Sequence, residues 1–335
     1  MILVTGGTGL VGAHLLVELS KTEATVKAIC RPNSDLKKVE KVFSYYFDNH
    51  EEHYQKINWI IADINDIPAL EIAFEGVTYV YHCAALISFN PKDYDLLHKI
   101  NCEGTANIIN ISLAKNIEKL CYISSIAALG KDTKTTEIDE ESDWNNKDAN
   151  VYALTKYDAE LEVWRGSQEG LSVILLNPGI ILGPGFWNTG SGTLFKNAAK
   201  ERSYFPPGGT GFIAVYDVVQ LMLLSMNSNI SKERFITIAK NSTYKEILTT
   251  ICQEMGIKTP TKELKFWQLE ILWRADWLRD LLFKKGRSIT QKTVKSLRAN
   301  KQYNNQKIIN AFEYTFEPIE KTIEFCTAKY TEENT

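Results

Sequence analysis

The chain has 335 residues, 44% of them hydrophobic and 24% charged, an ordinary globular balance without low-complexity or disordered stretches. Its formal net charge is −3 and no long lysine or arginine block stands out, so no field for phosphate backbones exists and nucleic acid is excluded as an expected partner. No uninterrupted apolar run reaches bilayer-spanning length, and the six cysteines are scattered without a Cys-x-x-Cys pair, which reads as buried thiols in a reduced compartment.

The sequence starts on a short apolar strand that runs into Gly6, Gly9 and Gly12, followed by an amphipathic run from Leu10 to Ser20. Glycines between a strand and a helix let the backbone turn tightly and approach a pyrophosphate, which then sits at the positive end of the helix. A secretory leader needs a charged start, an apolar stretch and a small-residue cleavage site, none of which these residues supply, so a cytoplasmic protein is expected.

Further strand candidates follow at 25–29, 57–61, 77–83, 119–124 and 171–176, after the first at 1–4, with helical patterns between them. That alternation predicts an α/β fold, a Rossmann-type doubly wound parallel sheet with ligands at the carboxyl ends of its strands. Residues 36–56 read as one long helix carrying His50 and His53. Three residues is the wrong spacing for the two-histidine zinc motif, so a solvated face is expected there and no metal site anywhere.

The end of the second strand reads Ile29-Cys30-Arg31-Pro32. An acidic residue there would accept both ribose hydroxyls of NAD; a cation without a competing carboxylate favours the 2′-phosphate of NADP(H), while stacking of Arg31 on adenine leaves NAD(H) open.

Ser124 and Ser125 close the strand at 119–124, which puts hydroxyls at the carboxyl edge. Tyr152 and Lys156 follow at the start of a helical run over 152–165, four residues apart and therefore on one face. A free phenol has a pKa of about 10; a lysine cation and an oxidised nicotinamide would each lower it toward neutrality, at about 1.4 kcal/mol per unit.

After Pro178 the regularity breaks into glycine- and aromatic-rich loops at 179–193 and 203–212, while 234–239 reads as a strand that rejoins the first sheet. The expected division is a nucleotide-binding domain over 1–178 plus about 213–240, and a discontinuous substrate lobe over about 179–212 and 241–335. The run 266–283 carries Trp267, Trp273 and Trp277 at helical spacing, with Lys284, Lys285 and Arg287 behind it. Such a stripe is expected to pack on the second lobe or to line the substrate pocket, with attachment of 266–287 to a membrane surface as the alternative. Its five interspersed charges exclude a spanning helix.

Taken together, Thr5 to Gly12, Asp63, His82 to Ala85, Asn101 to Asn107, Ser124-Ser125, Tyr152-x-x-x-Lys156 and Asn177-Pro178-Gly179 resemble the extended short-chain dehydrogenase/reductase family. The run Phe212 to Asp217, with Tyr303 to Lys307 and Phe316 to Glu320, is similar to its dihydroflavonol-reductase-like and epimerase-like branches. The resemblance implies a catalytic trio of Ser125, which lies five residues before Gly130, Tyr152 as acid/base, and Lys156 as its tuner and the holder of the nicotinamide ribose. It further implies cofactor contacts from Gly6, Thr8, Gly9, Leu10, Gly12, Arg31, Asp63, Ile64, Ala84, Ala85, Asn101, Tyr152, Lys156, Pro178, Gly179 and Ile181.

Departures from the family pattern narrow the reaction. Ile126-Ala127 stands where dehydratases carry an Asp-Glu pair, and Leu129 and Thr210-Gly211 stand where many sugar-nucleotide epimerases carry a tyrosine and a diphosphate-binding arginine, a role left to Arg202 or Arg274. The expectation is an NADP(H)-preferring oxidoreductase acting on a ketone, aldehyde or secondary alcohol of a fairly apolar small molecule. Phe89, Trp187, Phe195, Tyr204, Phe205 and Phe212 are expected to help line its site. A nucleotide-sugar epimerase with retained NAD is the alternative, and a non-catalytic cofactor-binding regulatory protein the second. By analogy with the family, a homodimer is expected.

Overall fold

A computed structural model describes residues 1–130, 137–283, 287 and 289–334. Among the described residues, ten strands are three residues or longer: β1 (Ile2–Thr5), β2 (Val26–Cys30), β3 (Ile57–Ile61), β4 (Tyr79–His82), β5 (Lys119–Ile123), β6 (Val173–Pro178), β7 (Ile180–Leu182), β8 (Gly209–Ala214), β9 (Glu233–Thr237) and β10 (Lys240–Thr243). Seven of them form one parallel sheet in the order β9-β6-β5-β4-β1-β2-β3. The order reverses direction between β1 and β4, so the carboxyl ends of those strands diverge into a crevice.

Each strand of this sheet is buried on both faces, and its side chains divide by parity. In β5, Cys121 and Ile123 face one core while Leu120 and Tyr122 face the other; in β6, Ile174 and Leu176 oppose Val173 and Leu175 in the same way. The helices α1 (Leu10–Leu19), α2 (Leu36–Phe43), α3 (His50–Gln55), α4 (Ile67–Ala73), α5 (Tyr94–Leu97), α6 (Gly104–Ala114) and α7 (Val151–Gln168) follow in chain order. A core with Leu15, Val39 and Phe43 puts α1 and α2 on the first face; Leu70, Ile108, Ala159 and Val163 put α4, α6 and α7 on the second. Two covered faces are what near-continuous apolar strands require.

The expected single helix over 36–56 is two. It breaks after Phe43 because the aromatic residues that follow turn inward: Phe43 meets Tyr54 edge to face at 5.6 Å, and Phe47 stacks on His53 at 3.7 Å. His53 also bonds the Ser20 hydroxyl at 3.1 Å, so its ring is used in packing.

Beyond β6 the chain builds a second layer from α8 (Gly192–Ala198), α9 (Val215–Asn227), α10 (Tyr244–Glu254), α11 (Phe266–Phe283), α12 (Gln291–Arg298), α13 (Gln306–Phe312) and α14 (Ile319–Asn334). A small sheet in the order β10-β8-β7 carries a separate core of Phe195, Phe212, Ile247, Ile251, Ile323 and Cys326 from α8, α10 and α14. Both α9 and α13 return to the main sheet: Val218 and Met222 join its first core with Ile308, and Phe312 meets Phe235 of β9 at 5.6 Å. All six cysteines are free thiols and five are buried.

Candidate active site at the carboxyl edge of the sheet

The glycine loop closes on itself. Gly6 has φ +70°, and a Cβ there would lie 2.5 Å from the Ala84 nitrogen, so β1 and the chain after β4 can approach only because it is glycine. A Cβ on Gly12 would meet the Gly6 carbonyl oxygen at 2.2 Å, which fixes the first turn of α1 against the loop. Gly9, exposed at the N-cap of α1, has no side-chain cap and no acidic residue in the turn that follows. The donors at that helix end remain open to an anion, and this fits the phosphates of a dinucleotide.

Ser125 lies just past β5 and caps a short 3₁₀ turn, its Oγ accepting the Ala127 amide at 3.1 Å. Tyr152 enters from the first turn of α7, which starts where Asn150 accepts the Ala153 amide at 2.8 Å. The two side chains are hydrogen-bonded to each other. Burial pushes the phenol up to about 12, and the Ser125 bond only partly offsets it. The lowering expected from sequence is thus reversed in the protein alone, because desolvation of a phenolate outweighs the single hydroxyl that stabilises it. Phe89 lies edge-on to the Tyr152 ring at 5.9 Å and is itself 41% exposed, so an aromatic wall stands over the phenol.

Lys156 Nζ donates to Tyr122 Oη at 2.6 Å and to the Ile123 carbonyl at 2.9 Å, and lies 4.3 Å from the Tyr122 ring centroid. Burial holds this ammonium down to about 8, while the Glu160 carboxylate acts to raise it. Beside it, His82 is fully buried between Thr5 Oγ1 at 2.6 Å and Thr105 Oγ1 at 2.9 Å and stacks on Tyr122 at 5.3 Å. Burial, helped by the Lys156 charge, pushes His82 down to about 3, so the imidazole is neutral.

One turn further along α7, Glu160 is 1% exposed and accepts from the Ser124 hydroxyl, from Asn177 Nδ2 at 2.6 Å and from Arg234 at 3.2 Å. Asn177 Nδ2 also donates to the Ser125 carbonyl at 2.9 Å, so Glu160 holds the backbone of the catalytic serine through Asn177. Two residues of strand advance about 6.6 Å and four residues of helix about 6 Å, which is why Tyr122 and Ser124 meet Lys156 and Glu160 in step. Sequence reasoning missed Tyr122, Glu160 and Asn177. The signal was there in the four-residue repeat Tyr152, Lys156, Glu160 and in the parity of β5.

The remaining expected positions ring the crevice. Thr8 and Leu10 flank Gly9 at the start of α1, and Arg31 is exposed immediately after β2. Asp63 follows β3 and accepts the Asn65 amide at 2.9 Å; the neighbouring Ile64 carbonyl accepts from Asn107 at 3.0 Å. Ala84, whose amide donates to Thr5 Oγ1 at 3.3 Å, and Ala85 follow β4. Asn101 clamps this segment, bonding both the Leu86 amide at 2.7 Å and its carbonyl at 3.0 Å while donating to Thr155 of α7 at 3.1 Å. Pro178 ends β6, Gly179 donates to the Thr237 carbonyl at 3.1 Å, and Ile181 lies in β7.

Several expected lining residues are elsewhere. Trp187, Phe195 and Phe212 belong to the core of the second lobe, and Phe205 is 5% exposed, because the small sheet needs these rings to fill its own interior. Tyr204 is exposed, so among these aromatics it is Phe89 that the structure brings against Tyr152. Arg274, offered as a diphosphate anchor, is paired with Glu270 at 2.6 Å on α11, and Arg202 is exposed between α8 and β8. The stripe of 266–283 does not pack as expected: its large apolar side chains are mostly exposed. Lys284 and Lys285 lie outside the described residues.

Comparison with known proteins agrees with this geometry. The model of the NAD dependent epimerase/dehydratase family matches residues 2–239. A putative dihydroflavonol 4-reductase of Synechocystis sp. is 28% identical over 79% of this chain and 75% of its own. Sterol demethylase protein B of Methylococcus capsulatus is 26% identical over 77% of this chain and 75% of its own. Among solved structures, UDP-glucose 4-epimerase of Thermotoga maritima with UDP-glucose superposes with a TM-score of 0.78 at 17% identity, covering 100% of this chain and 99% of that one.

Proposed function

Because the chain belongs to the NAD-dependent epimerase/dehydratase family and is an NAD(P)-dependent oxidoreductase of the extended short-chain dehydrogenase/reductase type, we propose that it is an NADP(H)-preferring reductase. Its substrate is a ketone or aldehyde on a fairly apolar small molecule. The observation that carries this reading is the hydrogen-bonded Ser125–Tyr152 pair, whose phenol burial holds protonated up to about 12. A protonated phenol beside a hydroxyl is a proton donor for a carbonyl oxygen.

When bound, a reduced nicotinamide supplies hydride to a carbonyl carbon. The chain's own residues do the rest. Ser125 donates to the carbonyl oxygen and holds it beside Tyr152, which delivers its proton as negative charge develops there, leaving an alcohol. Lys156, as the buried cation of the site, then stabilises the phenolate until solvent reprotonates it. Asn177 and Glu160 keep Ser125 in register, and Phe89 excludes water from one side of the phenol.

The preference for NADP(H) rests on the end of β2, where Arg31 is exposed and no carboxylate stands to repel a 2′-phosphate. The apolar substrate rests on Phe89 and on Ile87, 55% exposed beside it in the chain. The names of the relatives, a dihydroflavonol reductase and a sterol demethylase protein, point the same way. The test is NADPH oxidation against a panel of aromatic and alicyclic ketones by wild type and Tyr152→Phe. Loss of turnover with retained cofactor binding is expected; undiminished turnover in the variant overturns the mechanism.

A further inference from the structure

Helix α11 is amphipathic the wrong way round for a helix of a globular interior. Its buried residues are Leu269, Asp276 and Asp280, while Trp267, Ile271, Trp277, Leu278, Leu281 and Leu282 are 48–65% exposed. At about 100° per residue these six fall within an arc of roughly 140°. The charged residues inside that arc, Glu270 and Arg274, pair with each other at 2.6 Å. The helix is fastened to the protein by carboxylates: Asp280 accepts from Lys92 at 2.6 Å, and Asp276 accepts from the Ile289 amide at 3.0 Å. An exposed apolar band of this size on a fixed helix marks a contact surface.

Charge decides what the surface contacts. Residues 265–298 hold nine lysines and arginines against three acidic residues, in a chain whose net charge is −3. Two of the three acids, Asp276 and Asp280, are buried, whereas Arg274, Arg279, Lys292, Lys295 and Arg298 are exposed around the band. A second copy would bring like charges together across the contact. An anionic lipid surface receives tryptophan and leucine at its headgroup boundary and attracts the surrounding cations.

We propose that α11 docks this protein, lying flat, on an anionic lipid bilayer. It does not cross the bilayer, since no helix among the described residues is long and apolar enough to span one. The docked face adjoins the active site through the Lys92–Asp280 pair, because Lys92 lies three residues from Phe89, which packs on Tyr152. Resting on the function proposed above, an apolar substrate dissolved in lipid would enter at this side.

The experiment is co-sedimentation of the full chain with vesicles of phosphatidylcholine alone and of phosphatidylcholine with phosphatidylglycerol. The comparison protein is the triple variant Leu278→Ser, Leu281→Ser, Leu282→Ser, whose exposed positions leave the fold intact. Partition onto the anionic vesicles is expected, falling steeply with salt and by about tenfold or more in the triple variant. Brominated phosphatidylglycerol is expected to quench the tryptophan fluorescence of wild type, a readout that needs no variant. Failure to partition, equal partition of the triple variant, or no quenching overturns the proposal. A concentration-dependent dimer that the triple variant abolishes, without lipid binding, assigns the face to a second copy instead. None of these readouts depends on turnover, so failure of the reductase reading leaves the test standing.

Discussion

Lys156 donates its ammonium to the phenol of Tyr122 at 2.6 Å, three residues before the serine that the reaction uses. The lysine of the site is therefore held from beneath by a strand residue, and its protonation, down to about 8, is set by burial against the Tyr122 and Glu160 side of the sheet.

Replacing Tyr122 by phenylalanine removes an acceptor that favours the charged ammonium. The Lys156 pKa is expected to move below about 8, and the alkaline limb of the kcat profile to lower pH with it. Rate profiles of wild type and Tyr122→Phe over pH 6–10 measure the displacement. A limb that stays in place shows that Lys156 does not govern it.

Glu160→Gln keeps an oxygen for Ser124 and Asn177 but removes the charge that faces Arg234 and supports Lys156. A stability loss of about 1–3 kcal/mol in urea unfolding is expected, with a larger loss of about 3–5 kcal/mol in Glu160→Ala, where Arg234 also loses its carboxylate. The Gln variant is expected to lower kcat while leaving NADPH affinity within a few-fold, since Glu160 acts on Ser125 and not on the cofactor.

Gly12→Ala places a Cβ 2.2 Å from the Gly6 carbonyl oxygen, so the loop or the first turn of α1 must shift. The cost is expected at about 1–3 kcal/mol of stability, together with a loss of cofactor affinity seen by calorimetry. Gly170→Ala, where nothing lies within 4 Å, leaves the cofactor site untouched and serves as the comparison for strain from a positive φ alone.

His82 and His14 are held neutral in the fold, mainly by burial, at about 3 and about 4. An unfolded histidine takes up a proton near pH 6.5, so stability is expected to fall as pH drops from about 6.5 toward 4. Asp217, raised to about 6 by burial, works in the opposite direction below pH 6, where the fold takes up a proton first. Two histidines outweigh it. His82→Gln is expected to reduce the difference in unfolding free energy between pH 7 and pH 5 by about 2 kcal/mol; an unchanged difference contradicts the neutral assignment.

The seven-stranded sheet was legible because each strand is a short apolar run between glycine or helical signals, and the run at 234–239 could be joined to it on composition alone. Ser125 and Tyr152 were legible because their spacing relates a strand end to a helix start. Three features were not. The break after Phe43 depends on tertiary packing of Phe47 on His53, which no helical period reveals. The loop aromatics Trp187, Phe195 and Phe212 carry the same sequence signal whether they fill a core or line a pocket, and here they fill a core. Helix α11 has apolar and charged residues at one period, and only the structure shows that its aspartates face inward.

The account turns on an exchangeable NADP(H) cofactor serving a proton-donating Tyr152. Its most direct test is a calorimetric titration of the purified protein with NADPH and NADH, in wild type and Arg31→Ala, after mass spectrometry of whatever dinucleotide it retains. The account predicts that NADPH binds and exchanges freely, about tenfold or more tighter than NADH, and that Arg31→Ala erases the difference. Retained NAD that neither dinucleotide displaces would contradict it and make epimerisation the reaction of this site.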